Sequence, residues 1–193
     1  VLQNVDGNES LTLLSTGGLT FGNVGATTAL AQFNADVGAG ITSGSITAVG
    51  DIQLNSDALH TLNGGITSTN GNIAVRSLGD INQTAGTLNA ASGGVEVTGA
   101  NVTLTDVTAG ANSIIGNTRA IKITASQNIQ LGSLNATTAD GLVIDVDPIN
   151  IDITGSVTSS GDILLTASND ISFTGGNVTA DSNGTGGGDL IIL

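Results

Sequence analysis

The sequence predicts an all-β chain that folds as a right-handed, single-stranded parallel β-helix (β-solenoid) with triangular coils of about 20–23 residues. Three observations predict this fold. Aliphatic residues recur at three regular phases, glycine with Asn or Asp clusters between them, and the composition supplies an aliphatic core almost without aromatic residues. With three short strands per coil, the chain is expected to form about eight or nine coils.

The first phase consists of Gly with Asp or Asn, followed by two aliphatic residues separated by one position, as in Gly50-Asp51-Ile52-Gln53-Leu54. Strand alternation places Ile52 and Leu54 inside the coil and Gln53 outside. Glycine, Asn and Asp suit the corners, because corners need left-handed backbone or side chains that bond their own backbone. The first aliphatic residues of this phase are Ile52, Ile73, Val95, Ile121, Leu142 and Ile163.

Two further phases complete each coil. The second lies about eight residues after the first, often preceded by Asn or Asp, and comprises Leu19, Ile41, Ile81, Val102, Ile129, Ile151 and Ile171. The third is the most regular and comprises Val24, Ile46, Ile66, Leu88, Val107, Leu134, Val157 and Val178. An immunoglobulin-like sandwich would explain short strands, but not equivalent residues that recur about every 21 positions.

The composition agrees with a narrow, layered core. The chain has 193 residues with no Cys, Met, Trp or Tyr, and only three Phe, so Val, Ile, Leu and Ala must fill the interior. Poor helix formers and the absence of a 3.6-residue stripe predict almost no helix. We interpret residues 1–193 as one solenoid segment, less regular over the first forty or so residues, and as a fragment of a larger repeat protein.

The net charge of −13, with only Arg76, Arg119 and Lys122 as fixed cations, argues against nucleic acid as a partner. No apolar run approaches the ~20 residues needed to cross a bilayer, so no membrane insertion is expected in this segment. The expected partners are proteins or glycans on a surface, or copies of the same chain. Outside the strands, corner loops 110–119 and 181–188 are the expected recognition sites.

The segments Gly161-Asp162-Ile163-Leu164-Leu165-Thr166-Ala167-Ser168-Asn169-Asp170-Ile171 and Val178-Thr179-Ala180 resemble the repeats of filamentous-haemagglutinin-type exoproteins, the substrates of two-partner secretion. The resemblance spans about residues 40 to 180. It implies a right-handed β-helical shaft exported across a Gram-negative envelope, secreted or displayed at the cell surface. The expected function is therefore structural or adhesive rather than enzymatic. The apolar run 190–193 predicts either further repeats or head-to-tail stacking into filaments.

The alternative is a polysaccharide-binding or polysaccharide-degrading protein on the same fold. Asp145, Asp147 and Asp152 form the densest acidic group, and a Ca²⁺ site there would need further oxygen ligands from a neighbouring coil. His60, the only histidine, is predicted to point outward into solvent. Arg119 is expected in a long connection, and Lys122 on the outer face between two inward isoleucines. No residue is assigned a catalytic, cofactor-binding or metal-binding role.

Two other patterns are interpreted as structural. The glycine-rich stretch 184–190 superficially resembles a calcium-binding nonapeptide, but its spacing is out of frame and only one copy occurs. Small residues follow the third-phase aliphatics and predict an outward, hydrogen-bonding ladder, with ice binding as the weaker interpretation. These residues are Gly25, Thr47, Thr67, Asn89, Thr108, Asn135, Thr158 and Thr179.

Overall fold

The computed structural model describes residues 2–110, 119–137, 142–144, 148–182, 184 and 188–193. Over these residues the chain is a parallel β-solenoid without helix. Every strand pairing is parallel, which requires the chain to return to the same end of each sheet. Each turn makes this return by forming the other two sides of the coil. The all-β solenoid predicted from the repeat is therefore confirmed.

The first face of the solenoid is a nine-stranded sheet with one strand per turn. Most of its strands are five residues long and alternate between inward and outward side chains, as the spacing of the aliphatic residues requires. Its strands are β1 (Leu11–Ser15), β3 (Phe33–Val37), β6 (Ile52–Ser56), β9 (Ile73–Ser77), β12 (Val95–Gly99), β14 (Ile121–Ala125), β16 (Leu142–Ile144), β19 (Ile163–Leu165) and β22 (Leu190–Ile192).

The second and third faces are joined into a thirteen-stranded sheet, because two long strands run through both. These two strands are β13 (Val102–Ala109) and β15 (Asn128–Ala136). The second face also contains β2 (Leu19–Phe21), β4 (Ile41–Ser43), β7 (His60–Leu62), β10 (Ile81–Gln83), β17 (Asn150–Ile153) and β20 (Asp170–Phe173). The third contains β5 (Ile46–Ala48), β8 (Ile66–Ser68), β11 (Thr87–Ala90), β18 (Val157–Ser159) and β21 (Val178–Thr179).

Stacking these faces gives about seven turns. Within the described ranges, complete turns run from the one that begins with β3 to the one that begins with β19. Partial turns at both ends account for the larger number of coils, eight or nine, counted from the aliphatic spacing. Hydrogen bonds between polar groups of adjacent turns usually join residues 19 to 22 positions apart. Across the turn that contains residues 111–118 the separation rises to 26 to 28.

The register matches the three aliphatic phases: consecutive members pair in adjacent turns, except between Ile41 and Ile81, where one turn intervenes. On the third face, for example, Leu88 pairs with Ile66 in the preceding turn and with Val107 in the following one. A slip of one position would turn the aliphatic residues outward, so burial fixes this register. The same pairing continues into the first forty residues. Phe33 takes the inward position between Leu11 and Ile52, although its neighbours lack the repeated Gly-Asp pattern.

The core is a column of aliphatic layers. Nearly all inward residues from Phe33 to Leu165 in the described ranges are less than 4% exposed. Towards the first turn, two of the three phenylalanines widen the layers, since the rings of Phe21 and Phe33 pack edge to face with centroids 5.5 Å apart. Outside the core, Asp6 accepts hydrogen bonds from the backbone amides of Thr27 and Thr28, which lower the pKa of this carboxyl group below 3.8.

A ladder of side chains runs along the corner that precedes the second face. Asn101 donates from Nδ2 to Asp80 Oδ1 at 2.9 Å, and the next two turns repeat the contact through Asn128 and Asn150. Asn169 extends the ladder by donating to Asn150 Oδ1 at 2.9 Å. The side chains of Asn101, Asn128 and Asn150 thus each donate to the preceding turn and accept from the following one. The ladder explains why Asn and Asp precede the second-phase aliphatic residues in the sequence.

Candidate functional surfaces

His60 is buried in the solenoid core, so the predicted outward, solvated position is wrong. It begins β7 on the second face, pairs with Ile41 and Ile81, and is 0% exposed. Its neighbour Leu59 is half exposed at the corner. His60 therefore replaces an aliphatic residue in the second-phase series, at the turn between Ile41 and Ile81 where that series has a gap.

Two other polar residues occupy inward positions on the same face. Ser43 is 1% exposed on β4 and Gln83 is 2% exposed on β10. They pair with Leu62 from opposite sides, so each lies diagonal to His60 across one strand spacing. Diagonal neighbours on one face are within reach of long side chains. We call Ser43, His60 and Gln83 the polar seam. The aliphatic periodicity of the sequence does not reveal the polar seam, because none of its members is aliphatic.

The polar seam is poorly satisfied. Among the residues that the structure describes, neither ring nitrogen of His60 has a hydrogen-bond partner, and Ser43 Oγ has none either. Gln83 makes two long hydrogen bonds, from Nε2 to the Ala85 carbonyl at 3.4 Å and from the Thr105 amide to Oε1 at 3.3 Å. Burial without a compensating partner disfavours the imidazolium form and lowers the pKa of His60 from 6.5 to about 4. His60 is consequently neutral at pH 7.

Buried serines elsewhere in the core are bonded to the backbone of nearby corners. Ser68 Oγ donates to the Gly50 carbonyl at 2.8 Å and accepts from the Gly71 amide at 2.9 Å. Ser56 Oγ donates to the Ala58 carbonyl at 2.7 Å. These hydroxyl groups form hydrogen bonds with the backbone of the corners. This accounts for the serines at the last inward position of several strands. The contrast shows that the polar seam is a local exception to a well-satisfied core.

The acidic group of Asp145, Asp147 and Asp152, to which the sequence assigns no metal-binding role, is only partly described, since Asp145 and Asp147 lie outside the described residues. Asp152 is half-buried on the outer side of β17 and accepts a hydrogen bond from Ser172 Oγ at 2.8 Å. Among the residues that the structure describes, no three His, Cys, Asp or Glu side chains are grouped as a metal site would require. The Asp152 carboxylate is therefore hydrogen-bonded on the outer face to Ser172 in the adjacent strand.

The cations lie on the outer surface of the first face, where the sequence places Lys122. Ile121 and Ile123 are buried on either side of Lys122, and Lys122 stands beside Glu96 in the neighbouring strand. Arg76 forms an ion pair with the same Glu96. Arg119 lies 3.9 Å from Asp162, measured from Nη1 to Oδ2. Arg76 therefore meets a carboxylate of the adjacent turn, whereas Arg119, just before β14, meets Asp162 two turns further along.

The small polar residues after the third-phase aliphatics form a column, as the spacing predicts. Thr67 pairs with Thr47 and Asn89, and the column continues through Thr108 to Thr158 and beyond. Its members from Thr47 to Thr179 are half-buried or exposed and lie beside inward aliphatic residues, whereas Gly25, the first residue of the predicted series, is buried. The column lines the outer side of the third face and is a continuous, uncharged strip.

Of the two corner loops expected to carry recognition, most of residues 110–119 and part of 181–188 lie outside the described residues. In the second loop, Asp181 has φ of 53°, in the left-handed region. The strand that follows it, β22, is exposed over all three residues and pairs with β19. Over the residues that the structure describes, no helix is long and apolar enough to cross a membrane.

Comparisons with known proteins found no protein family, no curated protein and no solved structure that matches the chain. The class that the coordinates define is the parallel β-solenoid. The likeness to filamentous-haemagglutinin-type exoproteins stays an interpretation of the repeat style.

Proposed function

We propose that this chain is a segment of the structural shaft of a larger bacterial exoprotein, secreted or held at the cell surface, that displays adhesive regions. The observation that carries the proposal is the unbroken register. Strands of the first face pair in parallel register from β1 to β22, so the first side of each turn stacks on the same side of the turn before it. A repeated cross-section gives length in proportion to the number of turns, which suits reach and display.

Side-chain contacts between turns support the same role. The ladder from Asp80 to Asn169 joins successive turns along one corner, and Arg76 and Glu96 join two turns on the first face. Contacts of this kind tie each turn to its neighbours rather than to a distant part of the chain. A shaft loaded along its axis is stabilised by such nearest-neighbour contacts. The net charge of −13 favours a shaft that repels copies of itself and anionic surfaces along its sides.

The exposed last strand offers a way to extend the shaft. Leu190 and Ile192, which continue the inward columns, are 47% and 48% exposed, and the outer edge of β22 pairs with nothing among the described residues. An unpaired apolar edge favours the addition of another strand. We propose that a second copy of the chain, stacked head to tail, covers this edge.

The localisation is tested with antibodies raised against the 193-residue chain. Applied to intact, unpermeabilised cells of the source bacterium, they are expected to label the surface or precipitate the protein from the medium. Labelling that requires permeabilised cells would contradict the proposal. Adding the purified chain to host cells or immobilised glycans then separates a passive shaft from an adhesive one, because only an adhesive segment binds saturably.

Stacking is tested separately by multi-angle light scattering over a wide concentration range. Head-to-tail association is expected to raise the average mass with concentration, and Ile192→Lys is expected to abolish the rise by placing a charge on the exposed edge. Thr179→Lys, on a strand of the third face that is also near this edge but outside the inward columns, serves as a charge control. A strictly monomeric chain at every concentration would defeat the stacking proposal while leaving the shaft proposal intact.

A further inference from the structure

We propose that His60, at the centre of the polar seam that it forms with Ser43 and Gln83, makes the shaft acid-sensitive at one place, so that its turns open there while the other turns stay folded. This inference goes beyond the role as a shaft and concerns a conformational device built into it. It rests on where these three side chains lie, on the hydrogen bonds they lack, and on the groups that surround them.

The three residues lie on three consecutive strands of the second face. β4 and β10 flank β7 on its two sides, so His60 has Ile41 and Ile81 directly beside it in the inward column. Ser43 and Gln83 stand diagonally beside it, one strand away on each side. The seam thus concentrates the buried polar groups of the second face in three adjacent turns. On this face, the corresponding inward positions in the later turns are aliphatic, from Val102 and Leu104 to Ile153.

Protonation of His60 has no compensating partner in this setting. The groups directly facing it from β4 and β10 are aliphatic, hydroxyl or amide. Across the core, the inward residues of β3, β6 and β9 and those of β5, β8 and β11 are aliphatic, aromatic or hydroxyl side chains. The carboxylates of the corners before β7 and β10, Asp57 and Asp80, are exposed. A proton on His60 therefore creates a buried charge without a counter-ion.

The sign of the pH effect follows from the lowered pKa. Since burial depresses the pKa of His60 from 6.5 in the unfolded chain to about 4, the unfolded state binds the proton more readily between these two values. The local stability contributed by neutral His60 is fully present above pH 6.5. It decreases as the pH falls towards 4 and becomes constant below that. Because turns are stabilised mainly by their neighbours, the loss is confined to the turns around β7.

The first experiment uses the wild-type chain and nuclear magnetic resonance. His60 is the only histidine, so the imidazole proton signals are assigned without further labelling. The account predicts a titration midpoint near pH 4, shifted from the 6.5 of an exposed imidazole. A midpoint between 6 and 7 would show a solvated ring and overturn the proposal, whatever the behaviour of any variant.

The second experiment locates the opening by hydrogen exchange detected by mass spectrometry. After correction for intrinsic exchange, peptides from residues 41–83 are expected to lose protection on the order of 50-fold between pH 7 and pH 4.5. Peptides from residues 148–165 serve as an internal control, because this stretch carries Asp152 and Asp162 but no imidazole. Equal loss in all turns would assign the effect to general acid destabilisation and overturn the proposal.

Variants separate the imidazole from the rest of the seam. His60→Leu is expected to remove the pH-dependent loss in residues 41–83, and His60→Gln, which keeps a polar side chain without a titrating group, is expected to do the same. Ser43→Ala is the matched control and keeps the loss, since it leaves His60 in place. A loss that persists undiminished in both His60 variants would overturn the proposal.

Discussion

Asn128 and Asn101 are joined by two hydrogen bonds from one turn to the next. Oδ1 of Asn101 accepts from the side-chain amide of Asn128 at 3.1 Å and from its backbone amide at 3.2 Å. The Asn101 side chain thus replaces, at the corner, the backbone contacts that strands make on the faces. The relationship ties a corner, where regular pairing is interrupted, into the same stack as the strands.

Asn101→Ala is therefore expected to destabilise the chain by about 1–2 kcal/mol. The substitution leaves the backbone amide of Asn128 without its acceptor and breaks the ladder between Asp80 and Asn150. Asn135→Ala is the matched control, because Asn135 is an exposed asparagine of the outer column on the third face. Chemical unfolding followed by circular dichroism measures both. Equal effects of the two substitutions would show that the ladder does not stabilise the corner.

Leu59 and Leu62, three positions apart, test which residues of this segment face the core. Leu62→Ala is expected to cost about 2–5 kcal/mol, because Leu62 is fully buried beneath the second face. Leu59→Ala, three positions earlier and half exposed, is expected to change the free energy of unfolding by less than about 0.5 kcal/mol. The same unfolding assay measures both variants. The reverse order would mean that β7 is shifted by one position and that His60 faces solvent.

His60→Leu is expected to stabilise the chain by about 1–3 kcal/mol at pH 7. The substitution removes two buried nitrogens that lack partners and restores an aliphatic side chain between Ile41 and Ile81. Ser68→Ala provides the contrast and is expected to destabilise, since it leaves the Gly50 carbonyl and the Gly71 amide without the serine hydroxyl. Unfolding midpoints at pH 7 check both signs. Destabilisation by His60→Leu would contradict the placement of the imidazole in an apolar core.

At the corner between the second and third faces, two successive turns approach so closely that Gly132 is required. A Cβ atom on Gly132, within β15, would meet the Thr105 carbonyl of the preceding turn far inside van der Waals contact. Gly132→Ala is accordingly expected to cost about 1–3 kcal/mol, through forced separation of β13 and β15. Gly17→Ala is the control, since its nearest non-neighbouring atom would be 4.0 Å away. Similar thermal midpoints for the two variants would contradict this close packing.

The repeated aliphatic residues predicted most of the fold because burial and period-two alternation determine the register. Ile46, Ile66 and Leu88, for instance, stack as their spacing requires. The first turns are harder to predict from the sequence. Phe33 occupies the inward position of an aliphatic residue, and it is not preceded by the Gly-Asp pair found in later turns. No family or structural comparison adds to what these residues define.

The interior polar groups could not be predicted from the same pattern. His60 occupies an aliphatic position, and a histidine between Leu59 and Leu62 gives no periodic signal that favours burial. One signal was present: the second phase runs from Ile41 to Ile81, twice the usual spacing, and position 60 lies near its middle. Ser43 and Gln83 gave no comparable signal, because polar residues two positions after the second-phase aliphatic also occur on exposed strand ends.

The stacking of turns is tested most directly by disulfide formation, since the chain contains no cysteine. Thr67 and Asn89 are registered neighbours on the outer side of the third face, with adjacent strands about 4.8 Å apart. Thr108 is one turn further, about 10 Å from Thr67. The double variant Thr67→Cys/Asn89→Cys is expected to form a disulfide on mild oxidation, whereas Thr67→Cys/Thr108→Cys is expected to stay reduced, because bridged Cα atoms lie within about 7 Å. Equal cross-linking of both pairs, or preferential cross-linking of Thr67 to Thr108, would contradict the parallel β-solenoid.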